Sequence, residues 1–179
     1  MKLTAIAALA SVLFAGNAIA EGVSDNAGTI FFGFKLGPTN ITHDSTGKGF
    51  YGGYTIYGPN TFMNNAHLAK TSIAAEGEFA DLGRPAGNIK SKASTLGLVA
   101  AATYPINEQF SFIAKAGWAR VNHQIDCGSA PCSGSTITQG LHTATALQYN
   151  MATMMALRAG YDLYPDRFRM ISLSAIFKL

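Results

Sequence analysis

Four histidines, two closely spaced cysteines and a few charged residues inside otherwise apolar segments are the groups in this 179-residue chain with chemistry to offer. Nucleophilic hydrolysis needs a Ser or Cys activated by a His that a carboxylate orients. His43 and His123 fall in or beside expected loops that also hold Ser45 and Ser129, and His142 is expected to point inward from a strand. The C-terminal segments contain no His-x-Ser pair, and no Ser has a His and a carboxylate at a recognisable spacing, so no enzyme is expected. His67 completes the four, and no two histidines lie at ligand spacing on one strand face. Neither a metal nor a cofactor is therefore expected. The stretch Gly47-Lys48-Gly49-Phe50-Tyr51-Gly52-Gly53 is rich in glycine but lacks the strand–loop–helix setting of a phosphate loop, and reads as strand.

The elements that must carry these residues begin after an export signal. Lys2 supplies a positive start, Leu3 to Ala15 an apolar run, and Asn17-Ala18-Ile19-Ala20 a small-residue cleavage site, so residues 1–20 read as a signal peptide and 21–179 as one domain. The apolar run is about half of the ~20 residues that a spanning helix needs. Export places Cys127 and Cys132 in an oxidising compartment, where so close a pair reads as a small disulfide loop. The net charge of +3 is small and scattered, which argues against nucleic acid as a partner.

Apolar residues make up 48% of the chain, yet no second long apolar run exists. A transmembrane β-barrel reconciles the two, because lipid-facing residues alternate with interior ones. Eight segments read as strands: Thr29–Gly37, Gly49–Gly58, Thr71–Leu82, Ala93–Tyr104, Phe110–Asn122, Thr138–Tyr149, Met154–Tyr164 and Phe168–Leu179. In the last, Ile171, Leu173, Ala175, Phe177 and Leu179 share one face, while Ser172, Ser174 and Lys178 share the other. Met155, Leu157, Ala159, Tyr161 and Leu163 likewise oppose Arg158, Gly160 and Asp162; Phe110, Phe112, Ala114, Ala116 and Trp118 oppose Ser111, Lys115 and Gly117; Ile73, Ala75, Gly77 and Phe79 oppose Ser72, Glu76 and Glu78. The expected fold is all-β: a closed, antiparallel, up-and-down barrel of eight strands, with apolar faces on lipid and charges inside. Tyr104, Phe110, Trp118, Tyr149, Tyr161, Tyr164 and Phe168 stand near segment ends, as interfacial girdles would. Short connections at Pro105–Gln109 and Asn150–Thr153 are expected on the periplasmic side; Pro38–Lys48, Gly83–Lys92 and Gln124–Ile137 are expected outside. Pro59–Lys70 is long, and Pro165–Arg167 short, for the sides this scheme gives them.

Several stretches resemble the barrel domain of the OmpA family. Glu76-Gly77-Glu78-Phe79-Ala80-Asp81-Leu82-Gly83 is similar to its third-strand motif, and Thr103–Phe112 to its fourth strand, turn and fifth strand. Ala114-Lys115-Ala116-Gly117-Trp118-Ala119-Arg120, then Leu147–Asn150 with Leu157–Tyr161, and finally Ile171–Phe177 follow in family order. The resemblance covers Ile73 to Leu179. It implies a barrel-only relative without the family's peptidoglycan-binding domain, residing in the outer membrane among lipid and lipopolysaccharide. It also implies a C-terminal signal for the barrel-insertion machinery in Leu173, Phe177 and Leu179, with Leu179 standing where the family has an aromatic.

Lys35, Glu76, Glu78, Lys115, Arg158, Asp162 and Lys178 form the interior charge set. Unpaired charges would be costly in so narrow a lumen. Pairing is expected chiefly between Glu76 or Glu78 and Lys115 or Arg158, resembling the lumenal ion pairs of the OmpA family. A static polar plug is the favoured reading over a gate that passes small solutes slowly. Two further classes stay open: an adhesin or receptor whose outer loops meet a host or phage surface ligand, and, more remotely, a barrel enzyme that modifies lipid A.

Overall fold

The side chains of a strand point alternately to its two faces, and β1 (Ile30–Pro38) follows this strictly: Ile30, Phe32, Phe34 and Leu36 are exposed, Phe31, Gly33, Lys35 and Gly37 buried. The computed structural model describes residues 27–40, 45–59, 69–83, 90–126 and 134–179. The expected signal segment, Cys127, Cys132, Ser129, His43 and His67 lie outside the described residues. β2 (Thr46–Tyr57), β3 (Ser72–Gly83), β4 (Lys90–Pro105), β5 (Phe110–Asp126), β6 (Gly134–Ala152), β7 (Met155–Leu163) and β8 (Arg169–Lys178) follow. Each pairs antiparallel with its sequence neighbours, and β8 returns to β1, closing the barrel. Where all eight strands pair, closure leaves no sheet edge, which a bilayer requires because lipid cannot satisfy free backbone groups.

The outer wall is apolar: Phe34, Phe50, Leu98, Trp118, Leu141 and Ile171 are among its exposed side chains. Seen from outside it is a lipid face, and the interior holds the polar residues. Small residues make a narrow interior possible. Ala74, Ala80, Ala93, Ala101, Ala119, Ala144, Ala146 and Ala156 are all buried. At Gly33 a side chain would meet the Tyr51 ring at 2.6 Å, so glycine there is what lets Tyr51 lie across the lumen.

Two of the expected girdle aromatics turn inward instead. Tyr164 is buried among Leu82, Val121 and Met170, and Phe168 packs against the same cluster. The chain reverses between β7 and β8 through a single 3-10 turn, Pro165–Arg167, which draws both rings over the barrel mouth.

The strands are unequal. β1, β7 and β8 have 9, 9 and 10 residues, whereas β4, β5 and β6 have 16, 17 and 19. β6 pairs with β7 only from Thr143 onward, and its residues 134–142 pair with β5 alone. A raised sheet of β4–β6 therefore stands above the rim that carries the β1–β2, β3–β4, β5–β6 and β7–β8 connections. The strand order accommodates both connections of unexpected length without displacing β2 or β8.

Candidate functional site

The barrel interior is layered, and three strands show the same order. From the raised rim inward, β3 presents Leu82 and Ala80, then Glu78 and Glu76, then Ala74; β5 presents Val121 and Ala119, then Lys115, then Ile113; β8 presents Met170, then Ser172 and Ser174, then Ile176. Buried apolar side chains thus lie on both sides of a polar middle: Leu82, Val121, Met170 and Tyr164 with flanking alanines at one end, and Phe31, Tyr51, Ala74, Ala156 and Ile176 at the other.

Two ion clusters fill the middle. In the deeper one Glu76 binds Lys115 in a close ion pair and accepts from Arg158 Nη1 at 3.2 Å. Arg158 also donates from Nε and Nη2 to Gln148 Oε1, at 3.3 and 3.1 Å, and Gln148 donates to Asn150 at 2.9 Å. Both cations lie over the Tyr51 ring, 4.8 Å for Lys115 and 5.2 Å for Arg158, where its negative face attracts them. Nearer the raised rim, Lys35 Nζ sits 2.7 Å from Glu78 Oε1 and 3.4 Å from Asp162 Oδ1. It donates to the Tyr164 hydroxyl at 2.5 Å, and that hydroxyl donates to Glu78 Oε1 at 2.5 Å. Asp162 Oδ2 accepts from Ser172 at 3.1 Å, and His142 Nε2 lies 3.4 Å from Asp162 Oδ1. The His142 ring stacks on Tyr164 at 4.4 Å.

All seven interior charges named from the sequence are buried in the lumen. The structure brings Glu76 to Lys115 and Arg158, and Glu78 and Asp162 to Lys35; Lys178 is buried in the same interior near the β8 end. Sequence reading placed His142 in the lumen but outside this network, and it missed Tyr51 and Tyr164. Tyr51 falls on the inward parity of β2, two positions after Gly49, which was the available signal. Tyr164 had none, since a ring at a strand end reads as a girdle residue. Leu173, Phe177 and Leu179 line the outer wall, with Phe177 stacked on Phe32 at 5.4 Å.

Between the clusters lies a cavity of about 10 Å³ lined by Lys35, Tyr51, Lys115, Arg158 and Asp162, room for about one water. The polar trio Ser172, Asp162 and His142 is not a hydrolytic arrangement. Ser172 donates to the carboxylate itself, and His142 approaches that carboxylate rather than the hydroxyl.

A family model described as OmpA-like transmembrane domain matches residues 11–166. No curated protein matches the chain in sequence. Among solved structures, Ail, the attachment invasion locus protein of Yersinia pestis, superposes with a TM-score of 0.57 at 16% identity, over 86% of this chain and 99% of that one. A further Ail structure, in complex with the heparin analogue sucrose octasulfate, gives 0.58 at 17% identity, over 86% and 99%. The N-terminal β-barrel domain of Pseudomonas aeruginosa OprF gives 0.64 at 11% identity, over 86% and 98%. At these identities the structural likeness speaks for the fold.

Proposed function

Because this chain belongs to the OmpA-like transmembrane domain family, it resides in the outer membrane, and we propose that it serves there as a closed, envelope-stabilising barrel and not as an open pore. The observation that carries this reading is the layering of the lumen: ion-paired residues between two apolar layers, around a cavity of about 10 Å³. Continuous water would have to pass Leu82, Met170 and Tyr164 at one end and Phe31 and Ile176 at the other. It would also have to part Lys115 and Arg158 from Glu76. The partners of such a barrel are the surrounding lipid and lipopolysaccharide, and the insertion machinery reading the outward row Leu173, Phe177 and Leu179.

The test is conductance of the purified protein in planar bilayers, together with solute uptake by loaded liposomes. The wild type is expected to be silent. Sustained ohmic conductance would overturn the closed reading, and brief openings abolished by Glu76→Gln would replace it with slow solute passage gated by partner exchange.

A second reading is supported by the raised β4–β6 sheet. Its strand ends at Asp126 and Gly134 stand clear of the barrel wall, and it exposes Ile137, Gln124 and Ser135 beyond the apolar belt. Such a platform suits recognition of a host or phage surface ligand, since connections on a rigid scaffold carry specificity. Loss of surface attachment on replacing residues 124–137, with the heat-dependent gel mobility unchanged, would establish it.

A further inference from the structure

Glu78, His142 and Asp162 come from three different strands, β3, β6 and β7, and each offers one ligand atom within 4.8 Å of the other two. We infer that this cluster binds one divalent first-row transition ion, with the Lys35 ammonium as its resident competitor. Three observations lead there. All three side chains are buried, His142 completely. Glu78 Oε2 and His142 Nδ1 have no hydrogen-bond partner, and His142 Nε2 has only its 3.4 Å approach to Asp162 Oδ1. An unpaired carboxylate oxygen and an unpaired imidazole lone pair are expensive in a dry interior, and a cation bound by both removes that cost. Finally, a cation already occupies the neighbourhood, since Lys35 bridges Glu78 Oε1 and Asp162 Oδ1.

The geometry suits a small ion. Two donors at ~2.1 Å from a tetrahedral centre are about 3.4 Å apart. His142 Nε2 and Asp162 Oδ1 already have that separation. Lys35 and Tyr164 take Glu78 Oε1, which leaves Oε2 for the ion. The His142 ring is held flat against Tyr164, and Gly97 leaves room beside Nδ1, where a side chain would come within 3.5 Å. Within the cluster itself, two carboxylates against Lys35 leave a local net charge of −1, which draws a cation. An imidazole donor favours zinc, copper, nickel or cobalt over magnesium and calcium. The ligands lie far apart in sequence, one to a strand, and no spacing within a strand reveals them.

The experiment uses the full mature protein purified from outer membranes in detergent micelles, stripped with a chelator and titrated with Zn2+ and, for its visible absorption, Co2+. One equivalent is expected to bind saturably, with Co2+ spectra typical of a low-symmetry N,O site. His142→Gln is expected to weaken binding at least about tenfold, and Lys35→Met to tighten it. Folding of each variant is checked by heat-dependent gel mobility, and Asp162→Asn, held to the same criterion as His142→Gln, serves if that variant does not fold. Absence of saturable one-to-one binding by the wild type overturns the site, as does binding that His142→Gln and Asp162→Asn leave unchanged. Failure of Lys35→Met to tighten binding overturns the competing role of its ammonium.

Discussion

At Glu76 one buried carboxylate is shared by two cations, Lys115 from β5 and Arg158 from the far side of the barrel. Replacing it by alanine leaves both without their counter-charge in a lumen with almost no water. The expected loss is about 3–5 kcal/mol, measured as a shift of the urea unfolding midpoint in lipid vesicles. Adding Lys115→Met to Glu76→Ala is expected to recover part of that loss, because the second change removes one of the stranded charges. The loss should vary little with salt, since the pair lies out of reach of screening ions. These residues were legible in the sequence because each breaks an apolar alternation on the inward parity. Their pairing was only half legible. Glu78 and Asp162 meet Lys35, a pairing the sequence did not suggest, because which charges meet depends on strand stagger around the barrel, which no local spacing records. Hence Tyr164 read as an interfacial ring, and the approach of His142 to Asp162 left no trace in the sequence.

Among the elements, the turn between β7 and β8 is the most constrained. Asp166 and Arg167 both have positive φ, 63° and 62°, a conformation that costs L-residues about 1–2 kcal/mol each. Asn40 holds the turn in place: its side chain donates to Arg167 O at 2.9 Å and accepts from Arg169 N at 2.7 Å, and its backbone N–H donates to Arg169 O at 3.2 Å. Arg167→Gly is expected to stabilise the barrel by about 1 kcal/mol, and Asn40→Ala to destabilise it by a similar amount. Thermal unfolding of the two variants checks both signs. The strands themselves were legible to within a few residues, because each keeps a period of two over a span fit for a bilayer. The extra lengths of β4, β5 and β6 were not, since above the membrane both faces become polar and the alternation fades; Asn122, Gln124, Thr136 and Gln139 carry no facial pattern.

For the whole molecule, closure predicts that unboiled protein from outer membranes keeps its barrel in detergent and migrates differently on a gel from boiled protein. Identical mobility before and after heating would contradict a closed barrel. Closure also depends on a single seam, where β1 meets β8 with Phe34 opposite Ala175 and Lys35 opposite Ser174. A slip of one residue there would exchange the faces of β1. Phe34 would enter the lumen, and Lys35 would be thrust into hydrocarbon, away from Glu78 and Asp162. The buried ammonium therefore discriminates between closing frames: a barrel zipped in the wrong one carries a charge in hydrocarbon as its own penalty, while the correct one gains the ion pairs of Lys35 with Glu78 and Asp162.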